Sequence, residues 1–333
     1  MSEVVNYVEG TMALLQPSSA AIVVSKGEEV LFEAYLQGSS EGLPEVRIDR
    51  DSLFYLASCT KTFSSGVLMR MVEKGVVGLD DPVSKYLPEF SESGLGDYSR
   101  EAVRVLHLAS HTSGLEYPEG ESKGSFDDLT VATQPGEVFK YSSIGMAVLQ
   151  KVLEVAGGKP YAELMQDEIL SPLGLNNTRY VFEFDSSLPL VPTKAHDVSD
   201  FEDHFSFIQE GHLLGSGLYS TALDVNRYAQ LWALSGRLDG KSYFSSDKVR
   251  KAASTFGVSD FNGAEYGILW WVFPEKGALV MSGATHSVSA IIPESQVVVT
   301  VMRNYFGPIP EGFVFHEDKE AIVDLAAKIG ESR

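Results

Sequence analysis

Ser58 and Lys61 stand three residues apart in Phe54-Tyr55-Leu56-Ala57-Ser58-Cys59-Thr60-Lys61. Phe63, Val67, Leu68, Met71 and Val72 follow at helical spacing, and Gly75 and Gly78 end the pattern. Ser58 therefore falls at a helix N-cap or first turn, with Lys61 one turn on along the same face. A serine hydroxyl is a weak nucleophile unless a base lies within hydrogen-bond reach, and a lysine amine one turn away has that reach. N–H groups at a helix start can also hold an oxyanion. A bare S-x-x-K equally describes a capped helix start with a solvated lysine, as at Ser245-Ser246-Asp247-Lys248, so the surroundings must decide.

Other patterns fall short of chemistry. Gly38-Ser39-Ser40-Glu41-Gly42 fits G-x-S-x-G, but Pro44 and polar residues follow where a helix is needed, so it reads as a turn. Gly157-Gly158-Lys159 lacks the rest of a phosphate loop, and Gly215-Ser216-Gly217 lacks the third glycine of a dinucleotide fingerprint. None of the 7 histidines has metal-ligand spacing, and His107, His111 and His196 read as structural or exposed. No metal or cofactor is expected. The single cysteine, Cys59, excludes an internal disulfide and reads as a small buried residue beside the nucleophile.

The flanks of Ser58 resemble the first motif of the serine β-lactamase, penicillin-binding protein and class C-like esterase superfamily. The likeness continues through Gly78-Leu79-Asp80-Asp81-Pro82-Val83-Ser84-Lys85-Tyr86-Leu87-Pro88. Val105-Leu106-His107-Leu108-Ala109-Ser110-His111-Thr112-Ser113-Gly114-Leu115 is similar to the family's "HLLTHTSGL", and Gly215–Asp224 to its "GGLVSTAGD". The family's Tyr-x-Asn motif finds its counterpart in Tyr141-Ser142-Ser143. The resemblance implies that Tyr141 works with Lys61 as general base and later proton donor. Ser143 replaces the motif's Asn and cannot present an amide's paired donor and acceptor.

Matching Val288-Ser289-Ala290-Ile291-Ile292-Pro293-Glu294 to "GFSSLLxIxPE" places the third motif at Met281-Ser282-Gly283-Ala284. By resemblance, Ser282 and Gly283 line the substrate channel, Gly283 letting substrate approach the strand. The N–H groups of Ser58 and Ala284 form the oxyanion hole. Met281 stands where carboxylate-binding relatives carry a cation, a contact worth on the order of 1.5–3 kcal/mol. His286, expected at the mouth and in contact with substrate, and Arg303 are candidate replacements.

The elements that must position these residues follow from periodicity. Residues 3–15 and 317–329 read as helices, 20–24 and 30–36 as a hairpin, and 103–108 and 146–155 as helices. Strands are expected over 266–273, 278–283, 288–292 and 297–302, and 182–204 as an irregular surface stretch. The order implies an α+β fold of β-lactamase/transpeptidase type. An antiparallel sheet is flanked by N- and C-terminal helices, with a mostly helical lobe inserted. The whole of residues 1–333 is one domain in this reading. Its sheet lobe covers about 1–75 and 255–333 and its helical lobe about 76–254.

With Lys plus Arg at 26 and Asp plus Glu at 46, the net charge of −20 repels phosphate backbones and anionic lipid. Neither nucleic acid nor membrane is an expected partner. Met1-Ser2-Glu3 lacks the basic-then-apolar start of a signal peptide, so a cytoplasmic location is expected. The function expected is a serine hydrolase acting through an acyl-enzyme, a carboxylesterase on small uncharged esters. β-Lactamase or D-amino-acid peptidase activity is the first alternative. An inactive ligand-binding homologue is the second.

Overall fold

Near-continuous apolar runs, which bury both faces of the pleat, account for the strands at the centre of the sheet. The computed structural model describes residues 1–16, 18–38, 47–91, 98–117, 126–182, 185–192, 212–258, 264–306 and 308–332. Strands β1 (Ala20–Lys26) and β2 (Glu29–Leu36) form the expected hairpin, turning at Gly27 with φ +60°. The C-terminal third adds β3 (Gly257–Val258), β4 (Glu265–Tyr266), β5 (Trp271–Phe273), β6 (Ala278–Ser282), β7 (Val288–Ile292) and β8 (Val297–Arg303). The order is β3-β4-β5-β6-β7-β8-β1-β2, antiparallel throughout. β1 lies against β8 with Val23 opposite Thr300, so the two ends of the chain share one sheet, as the element order implied.

One expected strand divides in two. Between β4 and β5 the run Gly267–Trp270 reverses direction, with the Gly267 N–H donating to Trp270 O at 2.9 Å and Leu269 at φ +61°. A Cβ at Gly267 would lie 2.2 Å from Ala252 O, so this turn is pressed against a neighbouring helix. Its residues are buried like a strand's, which is why the apolar run conceals it.

Helices cover both faces. They are α1 (Ser2–Leu14), α2 (Thr60–Glu73), α3 (Ser143–Gly157), α4 (Ala222–Ala233) and α5 (Phe315–Glu331). α1 and α5 pack on the face that carries Ile22, Val24, Val280, Val288 and Val299. The opposite face, with Val23, Leu279, Met281, Val298 and Met302, merges into the main core beneath α2, α3 and α4. α4 belongs by sequence position to the helical stretch, yet it lies on the sheet. Its buried Asn226 donates to Val23 O at 3.2 Å and to Thr300 Oγ1 at 3.1 Å. No described helix is long and apolar enough to cross a membrane.

A buried ion pair ties three elements together. The Arg303 guanidinium at the end of β8 donates to both Asp318 oxygens on α5, at 2.7 and 3.0 Å, with both side chains almost wholly buried. It also donates to Thr11 Oγ1 on α1 and to His286 O, and Tyr7 Oη donates to Asp318. His286 packs edge-on against Phe313 and Phe315. Burial, and then the Arg303 charge, push its imidazole down to about 4, with Asp318 opposing.

Asp318→Leu leaves the guanidinium buried without its counter-ion and should cost about 3–5 kcal/mol, read from urea unfolding. A loss under about 1 kcal/mol would show that Arg303 finds another partner. The unfolded chain protonates an imidazole near pH 6.5, and the folded chain protonates His286 only near 4. Stability should therefore be full above about pH 6.5 and decline as pH falls toward 4. His286→Asn, which tolerates the φ of +58°, should make that decline shallower. The same slope in both proteins would assign the acid sensitivity to other groups.

Candidate active site

Ser58 sits on a turn of its own rather than at the start of the long helix. Ala57–Cys59 forms one 3-10 turn ahead of α2, and Ala57 is held at φ +45°, where a side chain is strained. Ala57 and Cys59 are buried beneath, while Ser58 is half-buried at a cleft. Burial pushes the Cys59 thiol up, which fits an inert packing residue.

Lys61 occupies the first turn of α2 and is only 7 % exposed. Its Nζ donates to Ser58 Oγ at 3.1 Å and to Gly215 O at 2.8 Å. The ammonium also lies 5.0 Å from the centre of the Tyr141 ring. Tyr141 immediately precedes the capped start of α3, where Ser142 Oγ accepts the Gly145 N–H at 3.1 Å. His111 holds the backbone on either side of it. The Lys140 N–H donates to His111 O at 2.8 Å and the Ser142 N–H to His111 Nδ1 at 3.1 Å. The two ring centres lie 4.3 Å apart with the planes tilted by 33°, and Trp271 lies parallel to Tyr141 at 6.3 Å. Burial, reinforced by the Lys61 charge, holds His111 far below its ordinary range and hence neutral.

Ala284 lies in the turn after β6, exposed, and borders the same cleft as Ser58. Gly283 explains how the sheet comes so near. A Cβ there would fall 2.4 Å from Leu56 O and 3.1 Å from Cys59 Sγ. The turn that carries Ser58 therefore itself makes a close approach that requires glycine at 283.

The cleft encloses about 230 Å³. Ser58, Lys61, Tyr141, Ser143 and Ala284 all line it. Met146, Ala147 and Gln150 of α3 line it as well, as do Tyr55, His212 and Phe306. Lys61 is the only lysine or arginine among the described lining residues.

Five residues that the sequence singled out lie elsewhere. Ser282 is buried on the strand face shared with Val280 and does not border the cleft. His286 is corrected in the same way: its aromatic surroundings and its contact with Arg303 keep it from the mouth. Arg303 is spent on Asp318. Met281 is fully buried in the core below the sheet, so its side chain leaves no cation-shaped gap toward substrate. Ser245 opens an ordinary surface helix and donates to Glu73. Ser39 and His196 lie outside the described residues.

Three groups escaped the sequence reading: His111 as a clamp on Tyr141, the carbonyl of Gly215, and Gln150. Only the "HTSGL" stretch carried a signal for the first. A backbone carbonyl carries none. Among the described residues, no cluster of His, Cys, Asp and Glu could hold a metal ion.

Comparison with known proteins agrees with this geometry. The family model described as Beta-lactamase matches residues 5–321. D-alanyl-D-alanine-carboxypeptidase/endopeptidase AmpH of Escherichia coli K12 is 29 % identical over 225 residues, covering 63 % of this chain and 56 % of AmpH. Esterase EstB of Burkholderia gladioli is 31 % identical over 186 residues, covering 49 % of this chain and 47 % of EstB. The matches thus span about half the length of these two relatives. The solved structure of EstCE1, a hydrolase with promiscuous acyltransferase activity, superposes with a TM-score of 0.77. It is 19 % identical, and the alignment covers 97 % of this chain and 98 % of EstCE1. With a family match over nearly its full length, this chain belongs to the Beta-lactamase family.

Proposed function

We propose that the protein is a serine hydrolase that works through an acyl-enzyme and acts as a carboxylesterase on small uncharged esters. The observation that carries this reading is the 3.1 Å contact from the buried Lys61 Nζ to Ser58 Oγ, in a cleft that Tyr141 and Ala284 share. Lys61 and Tyr141 act as a pair that holds one proton fewer than it can carry, as amine with phenol or ammonium with phenolate, and this pair takes the Ser58 proton as Oγ attacks the ester carbonyl carbon. The N–H groups of Ser58 and Ala284 hold the resulting oxyanion. When the carbon–oxygen bond to the alcohol breaks, the pair returns the proton to the departing alkoxide. Water then attacks the acyl-enzyme by the same route, releasing the acid and restoring Ser58.

Two features favour neutral esters. The described lining offers a substrate carboxylate no cation beyond Lys61, whose contacts already run to Ser58 and Gly215. Ser143 also lacks the amide that would grip a peptide or β-lactam. The likeness to AmpH supports the rival reading of D-amino-acid peptide hydrolysis. We take the 1–333 chain as one functional unit. Residues of about 1–75 and 255–333 form its sheet part and 76–254 the mostly helical part, from which α4 crosses onto the sheet.

The deciding experiment is a fluorophosphonate label followed by rates on nitrophenyl esters, a cephalosporin and a D-Ala-D-Ala peptide. Faster peptide or cephalosporin turnover would replace the ester assignment, and no labelling would leave a ligand-binding homologue. Ser58→Ala should abolish label and turnover with the melting temperature retained. Persistent esterase activity would mean another nucleophile. Tyr141→Phe should lower kcat by about 10²–10⁴-fold and Lys61→Ala at least as much. The double variant should be no worse than the single ones, because the pair acts as a unit, and losses that multiply cleanly would contradict a shared proton relay.

A further inference from the structure

We propose that Gln150 is a positioning residue for the Ser58–Lys61 pair, acting through the strap Leu213–Ser216. The inference rests on the hydrolase reading above and assigns a residue that touches neither Ser58 nor Lys61. Gly215 O is the second acceptor of the Lys61 ammonium, so the direction of the lysine follows from where this carbonyl is held. The strap has no regular structure, and side chains fix it instead. Tyr180 Oη donates to Leu213 O at 2.9 Å, and Ser64 Oγ to Leu214 O at 2.7 Å. Tyr55 Oη and Ser216 Oγ share a hydrogen at 2.6 Å.

Gln150 makes the contact these cannot. Its Oε1 accepts two consecutive strap N–H groups, Leu213 at 2.9 Å and Leu214 at 3.1 Å, just before the carbonyl that holds Lys61. The side chain is 8 % exposed. One turn along α3, Glu154 Oε1 accepts from Gln150 Nε2 at 3.2 Å, and a carboxylate can only accept. That contact fixes which end of the amide is oxygen and points it at the strap. Glu154 is held in turn by the Tyr161 N–H. A continuous polar path therefore runs from Glu154 through Gln150 and the strap to Lys61 and Ser58. Gln150 also borders the cleft, but its oxygen is already committed to two N–H groups.

Gln150→Met keeps the length of the side chain and removes the acceptor. It should lower kcat roughly 10- to 100-fold for nitrophenyl esters of every acyl length, the scale of a misplaced catalytic group. KM should stay within about twofold, and fluorophosphonate labelling should slow in parallel. The exchange Gln150→Glu with Glu154→Gln keeps an oxygen at 150 to accept the two strap N–H groups, with the hydrogen bond between 150 and 154 now donated by the new glutamine at 154, and should recover part of the loss. If Gln150→Met does not fold, Tyr180→Phe removes a single pin and should lower kcat several-fold at unchanged KM. Unchanged kcat in a folded variant would overturn the proposal. So would a KM change that depends on acyl length, which marks a mere wall residue, or an exchange that restores nothing. If the unaltered protein does not react with the label, the hydrolase reading itself falls, and this inference with it.

Discussion

The ammonium of Lys61 is almost buried, and the site is built around meeting its needs. Taking such an ion out of water costs several kcal/mol unless oxygens replace the water. Here the replacements are Ser58 Oγ and Gly215 O, with the face of Tyr141 nearby. Each comes from a different part of the chain. The hydroxyl stands on the turn before α2, the carbonyl on a strap more than 150 residues later, and the phenol at the start of α3. The three meet around the lysine only once the chain has folded, because they are far apart in sequence.

The second constraint is a contact distance. The end of β6 lies against the nucleophile turn so closely that position 283 has no room for a Cβ. This places Ala284 beside Ser58 and fixes the spacing of the two N–H groups proposed to hold an oxyanion. The sheet behind that contact is stiff, packed on both faces, with β8, α1 and α5 locked by Arg303 and Asp318. A strained Ala57 on one side and the closely packed strand end on the other fix the position of Ser58.

These constraints bear on substrate choice. The groups that sequence offered as anchors for a carboxylate, His286 and Arg303, serve the far side of the sheet. What lines the cleft among the described residues mixes apolar Met146, Ala147 and Phe306 with polar Ser143, Gln150, His212 and Ser216, and Lys61 is already bonded to protein oxygens. The net charge of −20 adds long-range repulsion against anionic substrates.

Sequence by itself determined most of the elements and the candidate site residues. Helical spacing located α1, α2, α3 and α5, apolar runs bounded by turn residues located β1, β2 and β6 to β8, and ordered motifs singled out Ser58, Lys61 and Tyr141. These are local patterns, written in residues that are near one another in the chain. Tertiary structure decided the rest. It broke 266–273 into a hairpin, because a turn pressed under a helix is as apolar as a strand. It sent His286 and Ser282 away from the cleft, because one face of a strand and the bend after it are chosen by what packs there. It also supplied the Gly215 carbonyl and the Gln150 clamp. A backbone oxygen has no side-chain identity to read, and a glutamine's partners 63 and 64 residues away exist only once the chain has closed on itself.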